Sequence, residues 1–296
     1  VWFDSGSMPF AQWHYPFENK DVFERAYPSD FISEGIDQTR GWFYTLHSIG
    51  TFLFDKPAYK SVLVNELILD KQGQKMSKSK KNSVDPFELL QKYGADATRW
   101  YLVANSPVWR PTLFDEEGIA EVQRKFFSTL VNTYAFFALY ANVDQFEFTE
   151  PPIPPAERAE IDRWILSELN SLIENYTECM NDFDVTRAAR AVSDFTIDQL
   201  SNWYVRRNRR RFWKSEKGKD KTAAYQTLFE CMAAVSKLMA PFAPFLAEEL
   251  HQNLHAVAKH GAPESVHLCD LPVADERVIN EVLELRMERA IKIVSL

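Results

Sequence analysis

Four lysines and two serines share the seven residues Lys75-Met-Ser-Lys-Ser-Lys-Lys81. Ammonium groups and hydroxyls interleaved in this way suit phosphate oxygens, which carry the opposite charge and accept several donors at once. Flanking elements must present them. Ser61–Leu69 is β-rich and mostly apolar and predicts a buried strand. Gly73 permits a tight turn out of it. Asp85 followed by Pro86 predicts a capped helix start. A loop of this kind between a strand and a helix N-terminus can hold phosphates; it can equally be a solvated basic loop.

A second polar group lies at Glu34, Asp37, Gln38 and Arg40. The pattern predicts a short strand at 31–33 ending at Glu34-Gly35, then a helix from near Asp37 through Trp42, Phe43 and Leu46. Ligands gather at such crossings, at the carboxyl ends of strands in an open α/β sheet. The same four residues would also serve as a polar cap with i,i+3 pairs. Upstream, Trp2 and Phe3 precede a turn-forming Asp-Ser-Gly and read as core. Residues 8–28 read as irregular, because Pro9, Pro16 and Pro28 interrupt any long helix. His47-Ser-Ile-Gly50 reads as ordinary helix.

The densest charge is at Asn202–Lys214, with Arg206, Arg207, Arg209, Arg210, Arg211 and Lys214, followed by Lys217, Lys219 and Lys221. Arginines beside Trp and Tyr suit RNA, offering phosphate contacts and stacking planes. A helix end whose arginines pair with acidic neighbours across a bundle has the same composition. A helix distributes five arginines over more than one face, so two or three are expected to reach RNA.

These clusters sit in a chain of 296 residues, 46% hydrophobic and 26% charged, with net charge −8. That is a soluble composition long enough for two domains, and a nucleic acid would have to be held by a local basic patch. Cys179, Cys231 and Cys269 are far apart with no zinc spacing, which points to a reducing cytoplasm. No apolar run is long enough to span a bilayer, so no membrane is expected. The chain opens at Val1 inside what reads as a structured segment, and it is expected to be a piece of a longer protein. Residues 86–104 predict two short helices broken at Gly94. From about residue 115, apolar spacing predicts long amphipathic helices joined by the stiff Pro151–Pro155 connector, with strand alternation only at Ser265–Cys269. The expected architecture is α/β over 1–116 followed by an all-α bundle over 117–296.

Lys75-Met-Ser-Lys-Ser79 is identical to the signature loop of class I aminoacyl-tRNA synthetases. With Glu34-Gly-Ile-Asp-Gln-Thr-Arg-Gly-Trp42 and Val1–Gly6, it resembles the isoleucyl-tRNA synthetase family in particular. The Asp-Gln-x-Arg-Gly-Trp string is the discriminating part, since valyl and leucyl relatives carry other residues there. Leu200–Asn208 and Met239–Phe245 are similar to that family's anticodon-binding bundle. The resemblance implies the second half of a Rossmann-like class I catalytic fold plus a tRNA-binding helical domain. The His-x-Gly-His half of the ATP site is not in the chain.

The resemblance also implies roles. Lys75, Met76, Ser77, Lys78 and Ser79 would bind ATP with Mg2+, and Lys75 and Lys78 would act in catalysis by holding its phosphates. Glu34, Gly35, Asp37 and Gln38 would line the aminoacyl-adenylate site. Trp2 and Trp42 would wall the isoleucine side-chain pocket. Arg206, Arg207, Arg209, Arg210 and Arg211 would meet tRNA(Ile). The partners implied are ATP, L-isoleucine and tRNA(Ile), in a monomer. A valyl relative and a stand-alone helical RNA-binding module are the alternatives. Two departures stand out: Lys81 precedes Asn82 where the family usually has Gly-Asn, and Asn65-Glu66 stands where relatives often have Gly.

Overall fold

The computed structural model describes residues 1–77, 79–80, 82–148, 151–213, 218–258 and 263–295. It divides into two compact units, Val1–Ser83 with Ser106–Phe114, and Val84–Asn105 with Asp115–Leu296.

The first unit runs α1 (Trp2–Ala11), α2 (Lys20–Ala26), β1 (Ser29–Gly35), α3 (Trp42–Phe54), β2 (Tyr59–Asn65), β3 (Ile68–Leu69) and β4 (Thr112–Leu113). β1 and β2 pair in parallel, Ser29 opposite Tyr59 through Gly35 opposite Asn65, and α3 is the crossover between them. β3 and β4 form a second, two-residue parallel pair. Against expectation, Trp2–Ser7 is helical, and α1 takes in Pro9 and stops two residues later. α1 packs on α3 at Gly6, where a Cβ would come within 2.8 Å of Ile49 Cδ1 and 2.9 Å of Thr45 Cβ. Trp2 and Phe3 are exposed, not core. The helix expected from Asp37 starts at Trp42, because Ile36–Arg40 tightens into a 3-10 turn. The single strand expected over 61–69 is two strands, since Glu66 N–H turns aside to the Val108 carbonyl.

The second unit begins with α4 (Pro86–Tyr93), capped as expected by Asp85, whose carboxylate accepts from Phe87 N–H at 2.8 Å. It continues with α5 (Ala95–Ala104), α6 (Glu116–Glu121), α7 (Ser128–Asp144), α8 (Glu160–Asn181) and α9 (Val185–Asp194). Then come α10 (Arg206–Trp213), α11 (Lys219–Met239), α12 (Pro244–Ala258) and α13 (Glu281–Ser295). π-helical stretches at Val122–Phe127 and Phe195–Val205 join α6 to α7 and α9 to α10 without a break. The core is continuous through Trp164, Leu200, Tyr204, Phe212, Tyr225 and Leu228, all nearly or fully buried. Residues 84–105 belong with this core. Asp96 caps α12 by accepting from Leu246 N–H at 2.6 Å, and Arg99 donates to the Pro241 and Phe242 carbonyls in the turn between α11 and α12. α5 thereby ties down the turn between α11 and α12 and complements the N-terminus of α12. The strand alternation expected at Ser265–Cys269 is a 3-10 turn, with Val266 buried in the core.

Candidate functional site

Both chemistry-bearing stretches of the first unit leave the parallel pair at its carboxyl end. Gly35 closes β1 beside Asn65, which closes β2. Asn65 Nδ2 holds the two ends together, donating to Ser33 Oγ at 2.9 Å and approaching the Glu34 carbonyl at 3.5 Å. Beyond Gly35 lies the turn bearing Asp37 and Gln38; beyond Asn65 lie β3 and the lysine loop. This is the end of an α/β sheet at which ligands bind.

In the first stretch Gln38 organises the turn. Its Oε1 accepts the Trp42 N–H at 2.9 Å, capping α3, and its Nε2 lies 3.4 Å from Asp37 Oδ2. Gly35 packs against Asp37, where a Cβ would sit 2.8 Å from Oδ1. Glu34, Asp37 and Arg40 are exposed, so the two carboxylates can meet an ammonium group.

The tryptophans are placed by a backbone defect. Pro9 has no N–H, so the Ser5 carbonyl four residues earlier in α1 loses its helical donor. The Trp42 indole supplies one, donating from Nε1 to Ser5 O at 3.2 Å. A half-buried carbonyl is thus satisfied and the indole is fixed in one orientation. Trp42 is half-buried; Trp2, 57% exposed, lies with its ring edge against Gly41.

The lysine loop opens from a tight hairpin. Leu69 and Lys75 face each other in an antiparallel bridge, and the turn between them has Gly73 at φ +76°, a conformation few other residues adopt. The Asp70 carboxylate accepts from Gln72 N–H at 3.0 Å and Gln74 N–H at 2.8 Å. Ser77 Oγ lies 3.1 Å from Ser79 Oγ and accepts the Lys80 N–H at 3.3 Å. Lys75 and Ser79 are exposed, and Met76 and Ser77 are half-buried. Lys78 and Lys81 lie outside the described residues. Among the described residues no group of His, Cys, Asp and Glu is arranged to hold a metal ion, and no helix is long and apolar enough to cross a membrane.

The basic segment of the second unit divides by helix face. Asn208, Phe212 and Arg211 turn inward, while Arg206, Arg207, Arg209 and Arg210 are exposed. Arg211 grips Asp162, a carboxylate with 0% exposure, through Nη1 at 2.7 Å and Nη2 at 2.8 Å. It also donates to Asp220 and to Asn208 Oδ1. Burial disfavours the Arg211 charge, but the Asp162 and Asp220 bonds outweigh it and raise its pKa. Tyr204 Oη donates to the same Asp162 at 2.7 Å; burial, then the Asp162 charge, pushes that phenol well up. Lys219 pairs with Glu157 and Lys221 with Asp144. Arg207 stacks over Trp203, 4.3 Å from the ring centroid. Among the described residues no ion pair holds Arg206, Arg209 or Arg210. Lys214 and Lys217 lie outside the described residues.

Sequence reasoning singled out the lysines, the acidic turn and the arginines; it missed their ties. Asp70 and Gly73 spell a turn in which an Asp side chain binds peptides two and four residues on. Asp162 shares the apolar stripe of Ile165, Leu166 and Leu169, and a carboxylate there requires a buried cation.

Residues 1–115 match the family model of class I tRNA synthetases (I, L, M and V), and residues 162–296 match that of the anticodon-binding domain of tRNA ligase. The isoleucine–tRNA ligase of Cytophaga hutchinsonii is 57% identical over the whole chain, that of Clostridium novyi 53% and that of Thermus thermophilus 50%. The chain covers 27% of the first of these and 28% of the other two, so it spans about a quarter of the length of its curated relatives. A crystal structure of an Agrobacterium radiobacter LeuRS–tRNA–LeuAMS ternary complex shares the fold, with TM-score 0.69 and 22% identity over 94% of this chain and 33% of that one. The chain therefore belongs to the class I aminoacyl-tRNA synthetases, as a segment similar throughout its length to isoleucine–tRNA ligases.

Proposed function

We propose that this segment carries part of the active site and the tRNA-binding bundle of an isoleucine–tRNA ligase. The observation that carries the reading is the placement of the Glu34–Trp42 turn and the lysine loop beyond the same carboxyl ends of β1 and β2. In this reading the isoleucine ammonium meets Asp37 and Glu34, and its side chain lies against the Trp42 and Trp2 indoles. The isoleucine carboxylate attacks the α-phosphorus of ATP, supplied as its Mg2+ complex, and pyrophosphate departs. Lys75 and Lys78 face the charge that gathers on the leaving group, so they stabilise the transition state more than the bound substrate. Met76, Ser77 and Ser79 complete the nucleotide contact. The aminoacyl group then passes to tRNA(Ile), held in part by Arg206, Arg207, Arg209 and Arg210. The enzyme works as a monomer in the cytoplasm.

Aminoacylation by the full-length protein, with isoleucine and valine offered separately, tests this. Isoleucine should be attached to tRNA(Ile) with the larger specificity constant. A preference for valine and its tRNA, or tRNA binding with no aminoacylation, would overturn the reading.

A further inference from the structure

One side chain spans the lysine loop. Asn82 Nδ2 donates to the Asp70 carboxylate at 2.7 Å, and Asn82 Oδ1 accepts the Ser77 N–H at 2.9 Å. The same Nδ2 lies 3.4 Å from the Lys75 carbonyl oxygen. The amide fits only one way round, because a carboxylate accepts and a peptide N–H donates. Asp70 does not drift: its other oxygen is held by Gln72 and Gln74 N–H, and its own N–H donates to the Gln74 carbonyl at 2.9 Å. The hairpin before the loop, the middle of the loop and the residue after it are therefore joined through a single carboxamide.

We propose that Asp70 and Asn82 are positioning residues for the lysine loop, fixing the Ser77 peptide and through it the direction in which the loop presents its lysines to the substrate phosphates. Neither side chain has to touch ATP. The inference rests on the ligase reading and deepens it. Consistent with a working tie, the Asp70 carboxyl is held below the usual range, first by the Asn82 bond and then by the Gln74 peptide, with Lys80 adding a favourable charge. A simple space-filling role would not depend on which partner donates. A latch does.

Exchange of the partners tests it in the full-length protein. Asn82→Asp keeps the shape and the acceptor for Ser77 but sets two carboxylates against each other, which cannot both ionise at hydrogen-bond distance. Isoleucine-dependent ATP–pyrophosphate exchange should lose about 10- to 100-fold in kcat at neutral pH, the cost of small misplacements at a reacting centre. The KM for isoleucine should stay within about twofold if the amino-acid site is untouched. Relative to wild type the loss should shrink towards about pH 6, where one carboxyl takes up a proton and donates in place of the amide. Asn82→Ala should lose rate without that recovery.

The double variant Asp70→Asn/Asn82→Asp reverses donor and acceptor, keeps the bonds to Gln72, Gln74 and Ser77, and should restore most of the rate. Trypsin cleavage between Lys75 and Lys81, measured on the same proteins, should accelerate in Asn82→Asp and slow again in the double variant. Cleavage does not depend on activity, so an inactive wild type would remove the ligase reading and leave cleavage to decide on the latch. A double variant that recovers neither rate nor protection, or an Asn82→Asp protein with wild-type rate and cleavage, would overturn the proposal.

Discussion

The two units hold their functional side chains by different means. In the first, few side chains are fully buried (Phe23, Phe43, Leu46 and Ala58 among them), while Trp2, Phe3, Phe31, Tyr44 and Phe52 are exposed. Its candidate residues are fixed by a few individual hydrogen bonds: Gln38 to the Trp42 peptide, Trp42 to Ser5, Asn82 to Asp70 and Ser77. In the second, Asp162, Tyr204, Asn208 and Arg211 are embedded in a continuous core, and the exposed arginines ride on it. A change in the first unit should therefore alter chemistry with modest loss of stability. In the second, the residue next door can decide between binding and folding.

The sharpest contrast is within α10. Arg211→Ala leaves Asp162 charged and buried without its main partner, which typically costs about 3–5 kcal/mol. The midpoint of chemical denaturation should fall accordingly. A loss no larger than that of Arg209→Ala would mean that the Asp162 site rehydrates. Next in size is Trp42→Phe, which strips the Ser5 carbonyl of the donor that Pro9 cannot supply. Leaving such an acceptor unpaired costs about 1–3 kcal/mol. The variant should lose stability by that amount, and Pro9→Ala in the same background should restore part of it by returning a helical N–H. No rescue would show that the carbonyl finds water.

A smaller effect is expected at Glu168 on α8. Burial pushes its carboxyl up to about 7, with the Glu284 and Glu288 charges adding to the rise and the Trp164 indole bond opposing it. The folded state therefore holds a proton that the unfolded chain releases near 4.5. This stability is complete below pH 4.5 and is lost as pH rises through 7. Glu168→Gln should flatten that window and raise stability at pH 8 by ~1–2 kcal/mol after solvent screening. A thermal melt series across pH would show it, and an unchanged slope would place the titration elsewhere.

The smallest stability changes belong to Arg206, Arg209 and Arg210. Their alanine variants should stay within about 0.5 kcal/mol of wild type. They should instead weaken tRNA binding and flatten its salt dependence by roughly 0.7–0.9 per lost phosphate contact. Variants that lower only the melting temperature would make the whole helix scaffold.

What could be read from the sequence follows the same division. Amphipathic spacing is dense in the second unit, so the helices over 86–104, 160–181 and 219–239 were legible, as was the Asp85 cap. The partition of the arginines was not, because it depends on Asp162, 49 residues away from Arg211 in the chain. In the first unit the motifs were legible as strings, and their geometry was not. Pro9 reads as a helix breaker until Trp42 fills the gap it leaves. Asn82 reads as a loop residue until its amide is seen against both Asp70 and Ser77. Isolated polar ties of this kind leave no periodicity behind.

In the ligase reading proposed above, the lysine loop stabilises the pyrophosphate departing during isoleucine activation. This is tested most directly by isoleucine-dependent ATP–pyrophosphate exchange of the full-length protein against its Lys75→Ala variant. For the variant, kcat should fall roughly 100- to 1,000-fold, about 3–4 kcal/mol of lost transition-state stabilisation, with the KM for isoleucine nearly unchanged. Equal losses in rate and in isoleucine affinity, or an unchanged rate, would contradict it.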